Sequence, residues 1–326
     1  MHSILQTIHA YLALFISWIS NTFQKITLSI LVLGPVPKHV AFVMDGNRRF
    51  AKRLHLQPSE GHQLGFKKLE ETLDWCMKLG IKVVTVYAFS IENFKRPKEE
   101  VDVLMELAER KFGEFVTKSD LVQKHGISIR VIGDTKLLRE PVYKAACKVT
   151  SETCNNTGAI LNICCPYTSQ NEILVAMQEV VQGVQSGKVL ESDVCEKMIE
   201  QCLYTEECPP LDVLVRTSGE ARLSDFMLWQ AGRDCLLHFP KKLWPEFSFW
   251  DMLPILLHYQ ANYAKIKASR EQAQLHATQP PASISTTNQS VKFNAVEHAK
   301  SRQRQSTFYN HVYKTRLNSI RHDAMS

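Results

Sequence analysis

Short apolar and β-branched runs alternate with helix-length segments along the chain from residue 38 onward. This alternation is typical of a parallel sheet with helices packed on both faces. The runs predict strands at His39–Met44, Val83–Phe89, Ile127–Ile132, Ile160–Cys165, Val213–Arg216 and Cys235–Phe239. The segments between them predict helices at Gly65–Leu79, Glu99–Lys118, Glu140–Asn155, Asn171–Gln185 and Ser224–Gln230. We therefore expect an α/β fold with a central, mainly parallel six-stranded sheet flanked by helices.

The first thirty residues follow a different pattern. Apolar residues recur at helical spacing from Ile4 to Ile30, yet polar side chains such as Gln6 and His9 interrupt the run. A helix with one apolar face and one polar face is typical of a helix that lies in a membrane interface, and we favour that interpretation. A transmembrane anchor and a helix packed on the folded body are the alternatives. Glycine and proline at 34–37 end this helix.

Composition divides the chain into three segments. Residues 1–37 hold the apolar helix, residues 38–270 hold the whole predicted sheet, and residues 271–326 are rich in Gln, Ser and Thr around Pro280-Pro281. Such polar composition is typical of chain that buries too little apolar surface to fold. We predict a membrane-associating N-terminal helix, one folded domain and a flexible basic C-terminal tail.

The charge distribution narrows the possible partners. The 326 residues include 39 Lys and Arg against 33 Asp and Glu, but segment 39–270 carries 30 of each. A nucleic-acid-binding protein normally places a basic excess on its folded body, so we exclude that class. The basic ends are suited to anionic lipid instead. The nine cysteines show no CxxC pair and no zinc spacing, which indicates reduced thiols in an intracellular protein.

Polar residues collect directly after four of the predicted strands. They occur at Asp45–Arg49, Ser90–Arg96, Tyr167–Ser169 and Arg216–Ser224. Ligands of parallel sheets bind at the carboxyl ends of the strands, so we expect these segments to meet. Arginine gives bidentate contacts to phosphate, glycine lets main-chain N–H groups approach, and aspartate can hold a divalent cation. The sequence therefore predicts a site for more than one phosphate group.

Each of these segments also has a purely structural interpretation. Asp45-Gly46-Asn47 alone is typical of a turn, Arg216–Ser224 alone of a helix cap with surface ion pairs, and His62 alone of a buried histidine. Their convergence at one edge of the sheet favours the phosphate site. The chain has no GxxxxGK[ST], GxGxxG or GxSxG motif and no DDxxD pair. NTPases, dinucleotide-binding enzymes, serine hydrolases and trans-type prenyl synthases are therefore excluded.

Four ordered motifs carry a family resemblance. They are Met44–Ala51 with Gly61-His62, Phe89–Pro97, Arg216–Phe226 with Trp229-Gln230, and Leu243–Pro245. These motifs resemble the cis-prenyltransferases, and within them the eukaryotic dehydrodolichyl diphosphate-forming catalytic subunits. The resemblance spans about residues 36–260. It implies the cis-prenyltransferase fold and an enzyme that extends an allylic diphosphate, such as farnesyl diphosphate, by repeated addition of isopentenyl diphosphate.

The resemblance also implies roles for individual residues. Asp45 would hold Mg²⁺ against the diphosphates, and Ser90 with Asn93 would position a water or a diphosphate oxygen that accepts the proton. The remaining predicted contacts are Gly46, Asn47, Arg48 and Arg49 around the allylic diphosphate, His62 and Arg96 at the reacting end, and Arg216, Arg222 and Ser224 around isopentenyl diphosphate. The product would serve dolichol synthesis and protein glycosylation. Residues 38–270 would be the catalytic domain, on the cytosolic side of the endoplasmic reticulum membrane.

Two departures from the family pattern point to a partner. Cys235 stands where bacterial members have a metal-binding glutamate, and no Arg-x-Gly follows Trp250, although self-sufficient members end with that motif. The resemblance implies a second, non-catalytic subunit related to the Nogo-B receptor that contributes its own Arg-x-Gly. A homomer is the alternative. Pro58 and Gln170 also stand where arginine is usual.

A product that grows by five carbons in each cycle needs an apolar channel. The predicted helices Gly65–Leu79 and Glu99–Lys118 supply candidate side chains for this channel, although ordinary packing in the core is the alternative for most of them. The candidates are Leu69, Leu73, Trp75, Val101, Leu104, Met105, Leu107, Phe112 and Phe115. Two other functions remain open at this point: a non-catalytic scaffold of the same fold, and an unrelated phosphate-ester hydrolase.

Overall fold

Six parallel strands form the centre of the molecule. The computed structural model describes residues 19–20, 22–117, 120–278 and 288–325. The strands are β1 (His39–Val43), β2 (Val83–Tyr87), β3 (Ile127–Ile132), β4 (Ala159–Cys164), β5 (Val213–Arg216) and β6 (Leu236–His238). They form one sheet in the order β3-β4-β2-β1-β5-β6, and every neighbouring pair is parallel. The predicted strands and the predicted fold class are confirmed, with strand ends displaced by at most two residues.

Helices lie between the strands and follow the last one. They are α1 (22–31), α2 (Asn47–Arg53), α3 (Pro58–Leu79), α4 (Lys98–Thr117), α5 (Asp120–His125), α6 (Glu140–Thr153), α7 (Ser169–Gln185), α8 (Glu196–Gln201), α9 (Leu228–Ala231), α10 (Phe249–Thr278) and α11 (Asn288–Met325). Short 3-10 turns cover Ile91–Lys95, Thr135–Leu137, Glu191–Asp193 and Trp244–Glu246. Four of the five predicted helices are present, and α3 begins seven residues earlier than predicted, with Pro58 in the first turn, where proline is favoured.

The predicted helix Ser224–Gln230 is wrong for most of its length. Only Leu228–Ala231 is helical. Ser224, Asp225 and Met227 have φ angles of 51°, 58° and 48°, in the left-handed region that residues other than glycine rarely adopt. The segment is therefore a strained loop whose conformation depends on its surroundings.

The register of the central strands brings three chain segments to one edge of the sheet. Val43 at the end of β1 pairs with Tyr87 of β2 on one side and with Arg216 of β5 on the other. These three strands therefore end level with one another. The segments that follow them, which contain most of the predicted phosphate-site residues, emerge side by side.

Trp244 connects this edge of the sheet to the helix layer. The indole is fully buried and packs between the rings of Phe42 and Phe247. Its Nε1 donates a hydrogen bond to the Gly65 carbonyl of α3 at 2.7 Å, and its main-chain N–H donates to the Asp45 carbonyl at 2.9 Å. The one polar group of this large buried side chain is therefore satisfied, and together with the main-chain bond it fixes α3 relative to the end of β1.

The prediction of a flexible C-terminal tail is wrong for residues 288–325. They form α11, whose Phe308 and Val312 are buried against Ala176 and Val180 of α7. Arg304 of α11 also makes two hydrogen bonds of 2.7 Å to the buried carboxylate of Asp193. The helix has few apolar positions, so its sequence resembles a solvated segment, although ion pairs and two buried apolar side chains hold it on the domain. Residues 279–287 and 326 lie outside the described residues.

The N-terminal helix is described at residues 19–20 and from residue 22 onward, so the prediction for residues 1–18 and 21 lies outside the described residues. Leu28 and Leu31 of α1 are buried, and the Leu31 carbonyl accepts a hydrogen bond from Gln260 of α10 at 2.9 Å. Phe23 and Ile30 on the other face are exposed by 60% and 62%. Of the helices in the described ranges, none combines the length and the apolar character that a membrane crossing needs.

We expect Phe308→Ala to lower the free energy of unfolding by about 3 kcal/mol, because it leaves a cavity where the ring now packs against Gly183. Val103→Ala, on the exposed face of α4, should change it by less than about 0.5 kcal/mol. Urea denaturation followed by circular dichroism measures both. An unfolding curve unchanged by Phe308→Ala would mean that α11 is not packed on the domain in solution.

Candidate functional site

The centre of the site is an ion pair between a buried arginine of β5 and an aspartate in the loop after β1. Arg216 is only 3% exposed, and its Nη2 lies 3.0 Å from Asp45 Oδ2. Its Nη1 donates to Ser224 Oγ at 2.5 Å and to the Arg222 carbonyl at 2.6 Å. The buried Nε of Arg216 has no partner within the described part of the chain. A strongly positive group is thus held in place with one donor still unused.

The main chain around Asp45 is fixed from several sides. Gly46 has a φ of 103°, and a side chain there would place its Cβ 2.4 Å from Ser218 Oγ. The Ser218 and Thr217 hydroxyls both donate to the Asp45 carbonyl, at 2.8 and 2.9 Å. Glycine is therefore needed at 46 for conformation and for space. The carboxylate of Asp45 is held at the cavity wall by this turn.

A glutamate that the sequence analysis missed links two more arginines to this centre. Glu220 Oε1 lies 3.4 Å from Arg49 Nη1, and its Oε2 lies 2.6 Å from Arg222 Nη1. Arg49 in turn lies 3.4 Å from Asp45 Oδ1. Arg222 is 66% exposed and borders the site from outside, whereas the other predicted site residues line the cavity.

Glu100 likewise pairs with two arginines, on the opposite side of the site. Its Oε1 lies 2.9 Å from Arg96 Nη1 and 3.4 Å from Arg48 Nη1. Glu100 lies in the first turn of α4, whereas Arg96 precedes that helix in extended backbone. The pair therefore depends on the turn between β2 and α4 and not on helical spacing, which is why the sequence pattern did not indicate Glu100.

His62 lies beside this pair of arginines on α3. Its Nε2 is buried and has no hydrogen-bond partner among the residues described. Burial, with smaller contributions from the Arg96 and Arg48 charges, lowers the pKa of His62 to about 4, although Glu100 opposes this shift. The imidazole is therefore neutral at physiological pH and has a free nitrogen at the cavity.

The turn after β2 holds Ser90 and Asn93 against each other. Asn93 Oδ1 accepts a hydrogen bond from the Ser90 main-chain N–H at 3.2 Å, and Ser90 Oγ accepts one from the Glu92 N–H at 3.2 Å. Asn47 instead faces α3: a Cβ at Gly65 would lie 2.2 Å from Asn47 Oδ1. Asn47 thus contributes close packing between α2 and α3 as well as part of the cavity wall.

The predicted site residues border a cavity of about 640 Å³ whose two ends differ in character. The polar end contains Asp45 and the arginines, and the apolar end runs between the sheet, α3 and α4. Of the predicted channel residues, Leu69, Leu104, Met105, Leu107, Phe112 and Phe115 line it. Leu73 and Trp75 belong to the core instead, and Trp75 packs on Phe249. Phe66, Phe89 and Lys111 line the cavity but were not predicted.

Comparison with known families decides the classification. Residues 43–267 match the prenyltransferase family described as putative undecaprenyl diphosphate synthase. The chain belongs to this family. The match begins at the last residue of β1 and ends within α10, so it includes the other five strands and all of the cavity-lining residues of the sheet, α3 and α4.

Individual relatives agree with the family assignment. The dehydrodolichyl diphosphate synthase complex subunit DHDDS of Homo sapiens is 46% identical over 259 residues, which are 78% of each chain. The corresponding complex subunit of Schizosaccharomyces pombe is 42% identical over 75% of this chain and 93% of its own. The crystal structure of lavandulyl diphosphate synthase from Lavandula x intermedia with dimethylallyl diphosphate has a TM-score of 0.65 and 33% identity, covering 69% of this chain and 95% of that one. The family and fold that the motifs predict are confirmed.

Cys235, which replaces a glutamate of bacterial family members, lies away from the cavity. It packs with the cluster that contains Ala41 and Leu214 under the edge of the sheet. Burial raises the pKa of its thiol to about 12. Cys235 is therefore a neutral packing residue.

A buried carboxylate that the sequence analysis also missed supports the strained loop of this prenyltransferase. Glu172 of α7 is 1% exposed, and burial raises its pKa. Its Oε2 accepts hydrogen bonds from the Tyr167 hydroxyl at 2.5 Å and from Gln230 Nε2 at 3.1 Å. Ser169 beside it donates its N–H to the Asp225 carbonyl and accepts the Leu228 N–H, both at 2.8 Å. These contacts hold the loop that carries Ser224.

We expect the His62 imidazole to titrate near pH 4 and to stay neutral at pH 6, because burial and two arginines disfavour the imidazolium. The unfolded chain takes up this proton near pH 6.5. The contribution of His62 to stability is therefore complete above pH 6.5 and is lost as the pH falls from there towards 4. Proton NMR titration, with the resonance assigned by His62→Asn, measures the pKa. An ordinary value near 6.5 would contradict the buried, arginine-flanked placement.

Proposed function

We propose that the protein is a cis-prenyltransferase that extends farnesyl diphosphate with isopentenyl diphosphate to a long-chain polyprenyl diphosphate, which serves dolichol synthesis. The observation that carries this proposal is the two-ended cavity, in which fixed arginines face apolar walls from α3 and α4. A lipid diphosphate has the same two-ended character. The names of the relatives, among them dehydrodolichyl diphosphate synthase subunits, support the same reaction.

The arrangement suits a reaction that develops charge. Breaking the allylic C–O bond leaves a diphosphate anion and gives the allylic carbon cationic character. Preorganised arginines stabilise that anion in the transition state without reorganisation, and each such group is worth several kcal/mol. A second diphosphate clamp, formed by Arg216 and Ser224, would hold the isopentenyl double bond near the allylic carbon and remove much of the entropy cost of bringing two substrates together. The Ser90 and Asn93 turn would position a water or a diphosphate oxygen that accepts the departing proton.

The donor set at Asp45 fits Mg²⁺ that is bound together with a substrate. Within the described ranges, no three His, Cys, Asp or Glu side chains come together as a preformed metal cage. Mg²⁺ typically binds through one or two carboxylates and completes its coordination with substrate phosphates and water. Asp45, a partly exposed carboxylate beside the arginines, would hold the ion in this way. When bound, Mg²⁺ would neutralise charge on the departing diphosphate.

A membrane location is supported by the exposed face of α1. Phe23, Ile26 and Ile30 are each more than half exposed, while Leu28 and Leu31 anchor the helix on the domain. An apolar helix face fixed to a folded body can rest in the interface of a bilayer. The protein would then work on the cytosolic surface of the endoplasmic reticulum membrane, where its lipid product can leave the cavity directly into the bilayer.

A second subunit is supported by the relatives and by the edge of the sheet. The relatives from Homo sapiens and Schizosaccharomyces pombe described above are both named as subunits of a complex. In this chain Leu237 on the edge strand β6 is 41% exposed, and Trp250 and Leu257 of α10 are exposed to a similar degree. His258 of α10 lies 3.3 Å from His238 of β6, so α10 and the edge strand are adjacent. A non-catalytic subunit related to the Nogo-B receptor would cover these residues and supply the missing Arg-x-Gly.

We expect the purified chain with the second subunit, farnesyl diphosphate, labelled isopentenyl diphosphate and Mg²⁺ to form labelled long-chain lipid. Asp45→Ala should lower turnover by on the order of 10³-fold or more, because it removes the carboxylate that would hold the metal. Asp74→Ala, which removes a surface carboxylate of α3 paired with Lys78, is the matched control and should leave turnover unchanged.

Each alternative function has its own outcome in this assay. No lipid with or without the second subunit would indicate a non-catalytic scaffold, and diphosphate release without condensation would indicate a hydrolase. Full activity of the chain alone would retain the enzyme and reject the partner. Asp45→Ala turnover above a tenth of wild type at saturating Mg²⁺ would reject the role of Asp45.

The membrane proposal predicts that replacing Phe23, Ile26 and Ile30 together by serine releases the protein from vesicles of phosphatidylcholine and phosphatidylserine. The buried residues Leu28 and Leu31 stay in place, so the domain should remain folded. Serine at the exposed Leu174, Met177 and Val181 of α7 removes the same number of apolar side chains and is the control. Flotation measures the bound fraction. Equal binding of both triple variants would place the membrane contact elsewhere.

A further inference from the structure

Arg316 fixes the C-terminal helix α11 to the chain next to α8, although the matched family region ends at residue 267. Its Nε and Nη2 bind the carboxylate of Glu179 at 3.0 and 2.6 Å. Its Nη2 and Nη1 also donate to the Cys202 and Leu203 carbonyls, at 2.6 and 3.5 Å. The guanidinium lies 5.3 Å from the centre of the Tyr204 ring. One side chain of α11 therefore positions three consecutive residues after α8.

The segment that Arg316 holds is in turn bonded to Glu172. The Tyr204 main-chain N–H donates to Glu172 Oε1 at 2.8 Å. The next residue, Thr205, accepts a hydrogen bond from Gln230 Nε2 at 2.9 Å, and Gln230 also donates to Glu172. A buried carboxylate requires its hydrogen bonds, since each one lost leaves charge uncompensated in an apolar environment. Moving residues 202–205 would therefore disturb both Glu172 and Gln230.

Glu172 and Gln230 support the loop that shapes the diphosphate clamp. Ser224 and Asp225 have left-handed φ angles, a conformation that persists only where surrounding contacts enforce it. The Ser224 carbonyl accepts a hydrogen bond from the Tyr87 hydroxyl at 3.3 Å, and its Oγ accepts the 2.5 Å bond from Arg216. The ring of Tyr167, whose hydroxyl binds Glu172, packs edge-on against the ring of Tyr87. A continuous series of hydrogen bonds and packed rings therefore runs from α11 to the side chains of the clamp.

We propose that Arg316 of the C-terminal helix is a positioning residue for the clamp formed by Arg216 and Ser224, and thereby sets the affinity for isopentenyl diphosphate. The proposal rests on the proposed function for the identity of that substrate. Through residues 202–205 and Glu172, Arg316 keeps the strained loop in the geometry that presents the Ser224 hydroxyl to Arg216. A purely structural role for α11 would affect stability but not this substrate selectively.

The test compares two arginines of the same helix. Arg316→Gln should raise the KM for isopentenyl diphosphate about 3- to 10-fold, with kcat and the KM for farnesyl diphosphate changed less than about twofold. Arg304→Gln breaks an equally well-formed pair with Asp193, at the Glu191–Asp193 turn, and should leave all three within about twofold. Steady-state kinetics of the complete enzyme measures these values. Equal effects of the two substitutions, or no effect of Arg316→Gln, would overturn the proposal.

Two further measurements separate positioning from loss of folding. Glu172→Gln combined with Arg316→Gln should raise the KM for isopentenyl diphosphate by less than the product of the single effects, because both act on one network. A KM increase in the double variant equal to the product of the two single increases would contradict a shared network. Arg316→Lys keeps the positive charge beside Glu179 and should restore part of the affinity for isopentenyl diphosphate. If circular dichroism shows that Arg316→Gln is unfolded, Arg316→Lys is tested in its place. No recovery with lysine in a folded protein would count against positioning.

Binding of inorganic diphosphate distinguishes failure of this proposal from failure of the proposed function. Isothermal titration calorimetry of the wild-type chain, Arg316→Gln and Arg304→Gln needs no turnover. Weaker binding in Arg316→Gln alone supports the positioning role even where the wild-type chain makes no lipid. Unchanged binding in Arg316→Gln, together with a wild-type enzyme that condenses its substrates, would reject the positioning role and retain the enzyme.

Discussion

The ion pair between Arg216 and Asp45 is the interaction on which the site depends. Arg216 is only 3% exposed, and its charge is tolerated because the Asp45 carboxylate, the Arg222 carbonyl and the Ser224 hydroxyl accept hydrogen bonds from it. Arg216 ends β5 and Asp45 follows β1, the strand beside it. The loop from residue 218 to 224 wraps around the guanidinium to supply the Arg222 carbonyl and the Ser224 hydroxyl. Burial of one charge thus determines where the loops after β1 and β5 lie.

The same electrostatic constraint extends to the whole polar end of the cavity. Several arginines in one small space repel one another, and each repulsion is larger at a partly buried site than in water. Asp45, Glu220 and Glu100 offset this, since each carboxylate pairs with two arginines. A guanidinium has five N–H donors, so it can keep its carboxylate partner and still bind a phosphate oxygen. The arginines are therefore held in place before any substrate arrives, which is the condition for electrostatic stabilisation of a transition state.

The sheet and the strand-end residues could be predicted from the sequence because both follow from local pattern. The apolar pattern of a strand is visible within a few residues. The carboxyl ends of parallel strands lie at the same edge of the sheet, and this does not depend on how the helices pack. Glu220, Glu172 and the loop at Ser224 could not be predicted, because each depends on partners distant in the chain: Arg49 lies 171 positions from Glu220, and Gln230 lies 58 from Glu172. Left-handed φ angles at Ser224 contradict local propensity, so a helix was the natural but wrong prediction. Helix α11 was not predicted because ion pairs, and not a continuous apolar face, hold it on the domain.

The two ends of the cavity obey different physical requirements. The polar end is made of loops after strands, where fixed charges must keep their geometry to within tenths of an ångström. The apolar end is made of helix faces, where side chains of similar volume can replace one another at little cost. The cavity of about 640 Å³ includes both ends, so only part of this volume lies between the apolar walls. The size of the apolar end is therefore set by the side chains of the sheet, α3 and α4, separately from the arginines of the polar end.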